Sequence, residues 1–274
     1  EAFQAYAEAY PENCLLLVDT YDTLRSGVPN AIKVFRELKA KGYQPKGIRL
    51  DSGDLAYLSK KARKMLDEAG FPEAKICVSG DLDERSINSL IQQGAQIDSW
   101  GVGTRLITSE DLPALGGVYK LAAVFGKDGK ITPKIKLSDN TAKITNPAFK
   151  KLYRLYDKEN GMAIADLITL RDEEVDDSKP LTLFHPVETW KTHEVENFRA
   201  EELQHTIVKN GKLVYSFPKL TEVRAFSQAQ LGKFWEEYLR LDMPQVYKVD
   251  LSKKLHTLKT EMIDGIRKGA KKDK

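Results

Sequence analysis

Short hydrophobic runs and amphipathic stretches alternate through the first part of the chain. The runs predict four strands, at residues 14–18, 47–50, 75–78 and 97–102. Three runs are rich in Leu, Ile and Val, which is typical of strands buried on both faces, and the fourth is more polar. Amphipathic helices that end at Gly42, Gly70 and Gly94 are predicted after the first three strands. Such repeats imply parallel strands with right-handed crossovers, in an open doubly wound sheet or in part of a barrel.

The pattern changes after Gly126. Strands without intervening helices are predicted at residues 131–137, 151–156, 163–170 and 181–184. Turn residues such as Asp128-Gly129 and Asn160-Gly161 separate them, so this part is predicted to be antiparallel. The acidic run 172–177 is predicted to be a solvated loop, with metal binding as the weaker alternative.

Two amphipathic helices are predicted to close the chain from Ser227 onward. The apolar positions of the first are Leu231, Phe234, Trp235, Tyr238 and Leu239. Those of the second are Leu251, Leu255, Leu258, Met262 and Ile266. The sequence therefore predicts an α/β part over residues 1–125, a β-rich part over 126–220, and C-terminal helices with a basic tail over 221–274.

Composition agrees with an ordinary soluble protein. The 274 residues are 41% hydrophobic and 30% charged, with a formal net charge of +3. No apolar run approaches the ~18–20 residues that a membrane-spanning helix needs. Only two cysteines occur, which fits a reducing cytoplasm. The basic residues of the tail follow a nearly neutral body, so nothing indicates nucleic-acid binding.

Polar residues and glycines follow each of the four predicted parallel strands. They form the segments Asp19-Thr20-Tyr21-Asp22, Asp51-Ser52-Gly53-Asp54, Ser79-Gly80-Asp81 and Gly101-Val102-Gly103-Thr104-Arg105. In parallel α/β folds, ligands bind at the carboxyl ends of the strands. The four segments are therefore predicted to face one shared site.

The residue types in these segments suit a phosphorylated sugar. Two glycines of the last segment let backbone N–H groups approach an anion, and Thr104 adds a hydroxyl donor. Asp51 and Asp81 suit hydrogen bonds from sugar hydroxyls or the organisation of Mg²⁺. Arg49 and Arg105 suit bidentate pairing with phosphate or carboxylate groups.

Local structural roles compete with these assignments. Asp54 and Asp83 precede predicted helices, and we interpret them as N-caps rather than catalytic groups. For Asp22, the sequence supports two interpretations equally, namely capping a turn and contacting a ligand. A Gly-x-Gly-Thr segment alone is a weak signal, so residue types indicate no more than a phosphate-binding α/β enzyme.

Five blocks, taken together and in order, resemble nicotinate phosphoribosyltransferases. They are residues 18–23 (VDTYDT), 48–54 (IRLDSGD), 79–83 (SGDLD), 101–104 (GVGT) and 116–121 (GGVYKL). The nicotinamide phosphoribosyltransferase type shares an Arg-x-Asp-Ser-Gly block and a Gly-Asp block. The segments Ser-Gly-Asp-Leu-Asp and Gly-Val-Gly-Thr favour the nicotinate type.

The resemblance implies a type II phosphoribosyltransferase, in which an irregular (β/α) barrel lies beside an α/β sandwich. It implies a cytoplasmic homodimer that joins nicotinate to phosphoribosyl pyrophosphate, with Mg²⁺ and with ATP as co-substrate, in NAD salvage. This chain would hold a partial barrel, a β-rich sandwich unit and C-terminal helices.

By position, the resemblance gives Asp51 and Asp81 the catalytic roles, with Mg²⁺ reached through pyrophosphate. Arg49 and Asp51 would line the ribose and base site. Gly80 and Asp81 would hold the ribose hydroxyls, and Gly103 with Thr104 the 5′-phosphate. The remaining substrate contacts would come from Asp19, Asp22, Ser79, Gly101 and Arg105.

Two features depart from the family pattern. The family couples ATP through a phosphorylated histidine upstream of the first block, whereas the histidines here are His185, His193, His205 and His256, which we interpret as surface or packing residues. We therefore expect a C-terminal portion of the enzyme, without the N-terminal part that carries that histidine. In addition, Asn146-Pro147-Ala148 has Ala where many members have Gly, which questions the conformation of that turn.

Three alternatives to this assignment stay open. The first is an inactive fragment that binds phosphosugars or takes part in dimerisation. The second is an enzyme of the nicotinamide phosphoribosyltransferase type. The third is a different phosphosugar enzyme, an isomerase or aldolase, for which Lys120 is the candidate catalytic residue.

Overall fold

The computed structural model describes residues 1–188 and 190–272. The chain forms two compact units, residues 1–116 and 117–274, so the division falls before the boundary at residue 125 expected from the sequence. Residues 273 and 274 of the basic tail lie outside the described part. No helix in the described part is both long enough and apolar enough to cross a membrane.

The first unit is built on a parallel sheet whose four strands follow chain order. They are β1 (Leu15–Leu17), β2 (Gly47–Leu50), β3 (Lys75–Val78) and β4 (Ser99–Trp100). The predicted bounds of β2 and β3 are confirmed. The prediction for the fourth strand, residues 97–102, was too long, because only two residues of this polar stretch pair with β3.

Five α-helices belong to this unit. They are α1 (Ala2–Ala9), α2 (Val28–Ala40), α3 (Leu55–Glu68), α4 (Glu84–Gln92) and α5 (Thr104–Thr108). Asp54 caps α3 by accepting the Tyr57 N–H at 2.9 Å, and Asp83 caps α4 by accepting the Ser86 N–H at 2.7 Å. Both predicted N-caps are confirmed.

The helices cover one face of the parallel sheet. Ile48, Leu50, Ile76 and Val78 are fully buried, and they alternate with residues on the opposite face. That opposite face is partly accessible within the unit, since Leu17 is 40% exposed. The expectation of strands buried on both faces was therefore wrong for this unit, because a strand that packs against helices on one side buries only alternate residues.

The second unit contains a mixed six-stranded sheet. Its strands are β7 (Lys150–Asp157), β8 (Ala163–Leu170), β9 (Leu181–Phe184), β10 (Thr192–Val195), β11 (Phe198–Glu202) and β14 (Val249–Leu251). They lie in the order β10-β9-β14-β8-β7-β11. Two hairpins accompany it, formed by β5 (Ala123–Phe125) with β6 (Ile131–Pro133) and by β12 (Val208–Lys209) with β13 (Lys212–Leu213). The antiparallel β7–β8 pair is confirmed, whereas the strand predicted at 131–137 ends at Pro133.

The C-terminal helices differ from the prediction. They are α6 (Leu220–Leu231), α7 (Glu236–Leu239) and α8 (Lys253–Lys272). The first predicted helix was wrong because α6 ends before Gly232, and Phe234 instead packs edge-on against Tyr247. Leu251 ends β14 rather than joining the last helix, since Ser252 accepts the Leu255 N–H and so caps α8.

Two smaller predictions concern loops. The acidic run 172–177 lies between β8 and β9, and the described residues contain no group of three or more His, Cys, Asp or Glu that could hold a metal ion. Ala148 takes a positive φ of 68°, so this turn has the left-handed conformation that favours glycine. The Lys150 ammonium holds this turn by donating to the carbonyl oxygens of Asn146, Pro147 and Ala148.

An ion pair between a partly buried arginine and a buried aspartate connects the segment before β14 to the six-stranded sheet. Arg154 of β7 donates to both carboxylate oxygens of Asp166 on β8, at 2.8 and 3.0 Å. The Tyr247 hydroxyl donates to the same carboxylate at 3.0 Å, and the Arg154 guanidinium lies 4.8 Å from the Phe234 ring centroid. Burial and the neighbouring Asp166 charge raise the pKa of Tyr247, so its phenol stays protonated and keeps donating.

Removing Arg154 should leave the Asp166 charge buried and only partly compensated. We expect Arg154→Met to lower the free energy of unfolding by about 3 kcal/mol, measured by urea denaturation. Arg199→Met is the matched control, because Arg199 also lies over an aromatic ring, that of Tyr156, but pairs with Glu201 in solvent. Its cost should stay below about 1 kcal/mol, and equal losses in the two variants would contradict the assignment.

Candidate functional site

A cavity of about 490 Å³ opens at the carboxyl end of the parallel sheet. Eight of the residues predicted from the sequence line it: Arg49, Asp51, Ser79, Gly80, Asp81, Gly101, Gly103 and Thr104. Arg49 lies in β2 itself, and the other seven come from the loops after β2, β3 and β4 and from the start of α5. The parallel order of the strands therefore brings three of the four predicted segments to one site.

A hydrogen-bonded triangle connects β2 with the loop after β3. Arg49 donates through Nε to the Ser79 hydroxyl oxygen and through its terminal nitrogen to Asp51 Oδ1, both at 2.8 Å. The Ser79 hydroxyl donates in turn to the same Asp51 oxygen. The hydrogen bond from Ser79, followed by that from Arg49, holds the pKa of the Asp51 carboxyl below its usual range. Asp51 is consequently ionised at neutral pH.

The backbone of Gly80 passes directly over the peptide group of Asp51. Gly80 has a φ of +104°, and a Cβ at this position would overlap the Asp51 carbonyl oxygen. Glycine is therefore required for conformation and for space, and its presence lets the loop after β3 close onto the loop after β2.

Asp81 differs from Asp51 in the hydrogen bonding of its carboxylate. Its backbone is left-handed, with a φ of 48°, and its carboxylate accepts no hydrogen bond from the described residues. On the next loop, Gly103 precedes α5 and accepts the Leu106 N–H at 3.1 Å, whereas the N–H groups of Thr104 and Arg105 have no carbonyl partner inside the helix. The cavity thus offers a free carboxylate on one side and backbone donors on another.

Three predicted site residues do not line this cavity. Asp19 accepts hydrogen bonds from the loop after β2, and Asp22 accepts the Arg25 N–H at 2.8 Å and lines a separate cavity of about 580 Å³ beside α1 and β1. Arg105 pairs with Asp83 and, at 3.1 Å, with Glu110.

The Arg105 ion pair belongs to the cap of α4. Hydrogen bonds from Ser86, with a further contribution from Arg105, lower the pKa of Asp83 to about 2. Arg105 therefore pairs with protein carboxylates here, where the sequence suggested a ligand phosphate.

Three further residues line the cavity, namely Leu15, Cys77 and Val102, and none of them had been assigned a role in the site from the sequence. Cys77 is the register neighbour of Arg49 and lies two residues before Ser79, on the same face of β3. The two-residue period of a strand could have identified it. Leu15 and Val102 carry no chemical signal of their own.

The histidines and Lys120 belong to the second unit. His185 Nδ1 accepts the N–H groups of Val187 and Glu188, and the His256 ring stacks on Phe184 with centroids 4.9 Å apart. Lys120 is exposed in a loop outside regular secondary structure. Within the first unit, the residues that line the cavity include no Lys for the isomerase or aldolase alternative.

Comparison with known proteins gives one consistent result. Residues 149–259 match the family described as the nicotinate phosphoribosyltransferase C-terminal domain. The Bacillus subtilis nicotinate phosphoribosyltransferase is 50% identical over 266 residues, which cover 97% of this chain and 54% of that protein. The Dictyostelium discoideum enzyme is 40% identical, covering 97% and 47%.

The chain is a homologue of the nicotinate phosphoribosyltransferases. The resemblance seen in the ordered blocks is therefore confirmed, and the chain spans about half the length of these relatives. The crystal structure of human nicotinic acid phosphoribosyltransferase superposes with a TM-score of 0.73 at 30% identity, covering 96% of this chain and 49% of that one. A nicotinate-nucleotide pyrophosphorylase from Pyrococcus furiosus shares the fold, with a TM-score of 0.53 at 23% identity.

The close approach at Gly80 gives a stability test. Gly80→Ala should cost more than Gly70→Ala, because both glycines have φ above +80° but only Gly80 would overlap another residue. We expect about 1 kcal/mol for Gly70→Ala and at least about 2 kcal/mol for Gly80→Ala, measured by urea denaturation. Equal costs would mean that the loops after β2 and β3 are not packed as described.

Proposed function

We propose that this chain supplies the phosphoribosyl-binding part of a nicotinate phosphoribosyltransferase. The whole enzyme would join nicotinate to phosphoribosyl pyrophosphate, giving nicotinate mononucleotide and pyrophosphate in NAD salvage. The observation that carries the proposal is the convergence of Arg49, Asp51, Asp81 and Thr104 on one cavity. The printed names of the relatives support the same activity.

Each part of the cavity suits one part of a phosphorylated ribose. The Asp81 carboxylate, which accepts no hydrogen bond from the described residues, can accept hydrogen bonds from vicinal hydroxyls of the ribose, and Gly80 lines the same cavity. The N–H groups at the start of α5 and the Thr104 hydroxyl can donate to the 5′-phosphate. Arg49 can add positive charge for the carboxylate of nicotinate.

The residues present also fit Mg²⁺ that arrives with a pyrophosphate group. Mg²⁺ is usually held by one or two carboxylates together with substrate phosphates and water, rather than by a cage of protein ligands. Asp51 and Asp81 line the same cavity, and the described residues hold no cluster of three or more metal-binding side chains. When bound, Mg²⁺ would neutralise charge on the leaving pyrophosphate.

The protein's own contribution would be electrostatic. Breaking the bond to the anomeric carbon passes through an oxocarbenium-like state, by analogy with glycosyl transfer. Fixed carboxylates beside the ribose stabilise such positive charge, and an ionised Asp51 held by Ser79 and Arg49 needs little reorganisation. No nucleophilic hydroxyl is required, and the Ser79 hydroxyl is already bonded to both neighbours.

The proposal extends to architecture and partners. A sheet in plain chain order with helices on one face supports part of a (β/α) barrel rather than a doubly wound sheet, in which strand order reverses. ATP as co-substrate, a homodimer and a cytoplasmic location follow from the family resemblance. The first unit, which contains the cavity, has no histidine, so the phosphorylated histidine would come from outside this unit.

Calorimetry with phosphoribosyl pyrophosphate and Mg²⁺ tests the binding role. We expect Asp81→Asn to weaken binding about tenfold, because asparagine keeps the left-handed backbone but loses the charge that accepts the ribose hydroxyls. Asp172→Asn in the exposed acidic loop is the charge-matched control and should bind like the wild type.

The outcomes separate the alternatives. Absence of binding by the wild-type chain would contradict the proposal and favour an inert fragment. Equal affinities of the Asp81→Asn and Asp172→Asn variants would show that Asp81 does not contribute to phosphoribosyl pyrophosphate binding.

A further inference from the structure

Asp19 lies at the end of β1 but acts on the loop of the neighbouring strand. Its Oδ2 accepts the Asp51 N–H at 2.7 Å and the Ser52 hydroxyl at 2.8 Å. The side chain is half-buried, and it lines neither the candidate cavity nor the larger cavity beside α1. Its Oδ2 is therefore engaged by two protein donors, one from the backbone and one from a side chain.

The Asp51 peptide is consequently held from two neighbouring strands. On the β1 side, the Asp19 carboxylate accepts its N–H. On the β3 side, Gly80 packs so closely against its carbonyl oxygen that a side chain could not fit between them. With the backbone fixed in this way, the Asp51 side chain meets Ser79 and Arg49.

We propose that Asp19 is a positioning residue, which sets the Asp51 carboxylate in the cavity and does not itself contact the substrate. This inference rests on the proposed function in that Asp51 serves phosphoribosyl binding. It replaces the substrate-contacting role that the sequence suggested for Asp19.

The choice of a carboxylate at position 19 follows from the donors it serves. One oxygen accepts two hydrogen bonds, and an ionised acceptor makes stronger bonds than a neutral amide. Asparagine would keep an acceptor oxygen at nearly the same place, with weaker bonds. Alanine would leave the Asp51 N–H and the Ser52 hydroxyl without this partner.

Three variants distinguish positioning from general stabilisation. Asp19→Ala removes both bonds, Asp19→Asn keeps a neutral acceptor, and Asp54→Ala removes the cap of α3 from the same loop without touching Asp51. Asp19→Ala and Asp54→Ala should both lower the melting temperature. Only Asp19→Ala should shift the Asp51 amide proton upfield in NMR spectra and weaken binding of phosphoribosyl pyrophosphate with Mg²⁺ by about tenfold. Asp19→Asn should lie between Asp19→Ala and the wild type in both measurements.

The NMR shift of the Asp51 amide tests the positioning role of Asp19, and the binding affinity tests the proposed function separately. An unmoved Asp51 amide in Asp19→Ala overturns the inference, as does a loss of affinity no larger than that of Asp54→Ala. If Asp19→Ala does not fold, the Asp51 amide in Asp19→Asn decides in the same way. If the wild-type chain binds no phosphoribosyl pyrophosphate, the proposed function fails, and the Asp51 amide still shows whether Asp19 holds that loop.

Discussion

The first unit depends on the close contact between the loops that leave adjacent parallel strands. Strands in a sheet lie about 4.8 Å apart, so the residues just beyond their ends must either pack against each other or diverge. Here they pack, because Gly80 has no side chain to obstruct the Asp51 carbonyl oxygen. That contact brings the Ser79 hydroxyl to the Asp51 carboxylate and makes one site from two loops. A larger residue at position 80 would separate the chemical groups even if every strand stayed in place.

Local signals explain what the sequence could predict in this unit. The bounds of β2 and β3 follow from compact apolar runs, and the Asp54 and Asp83 caps act on N–H groups only three residues away. The binding partner of a long charged side chain, in contrast, does not follow from the local sequence. Arg105 was expected at the ligand, but its partner Asp83 lies 22 residues earlier, and nothing in the local pattern indicates that pairing. Asp19 is similar, since its role depends on donors in the next strand.

The second unit shows the same limit in its sheet. Strand β14 is three residues long and lies between β8 and β9, which precede it by more than sixty residues, so periodicity alone could not place it. The hairpin at Asn210-Gly211 was missed although this dipeptide is a strong turn signal, with φ of 51° and 74°. Its strands have only two residues each, too few for a detectable alternation. The Arg154–Asp166–Tyr247 cluster likewise joins residues that are distant in sequence.

In the proposed phosphoribosyl site, the two carboxylates of the cavity would have different roles. Asp51 is held by Arg49, Ser79 and the backbone bond to Asp19, so its charge is fixed in position. Asp81 accepts no hydrogen bond from the described residues, so its carboxylate would remain able to accept hydrogen bonds from the proposed substrate. A substrate that binds through hydroxyl groups and reacts through a developing positive charge needs both properties at once. If both carboxylates were fixed by the protein, the ribose would lose an acceptor. If both were free, their mutual repulsion would oppose keeping two negative charges beside the anomeric carbon.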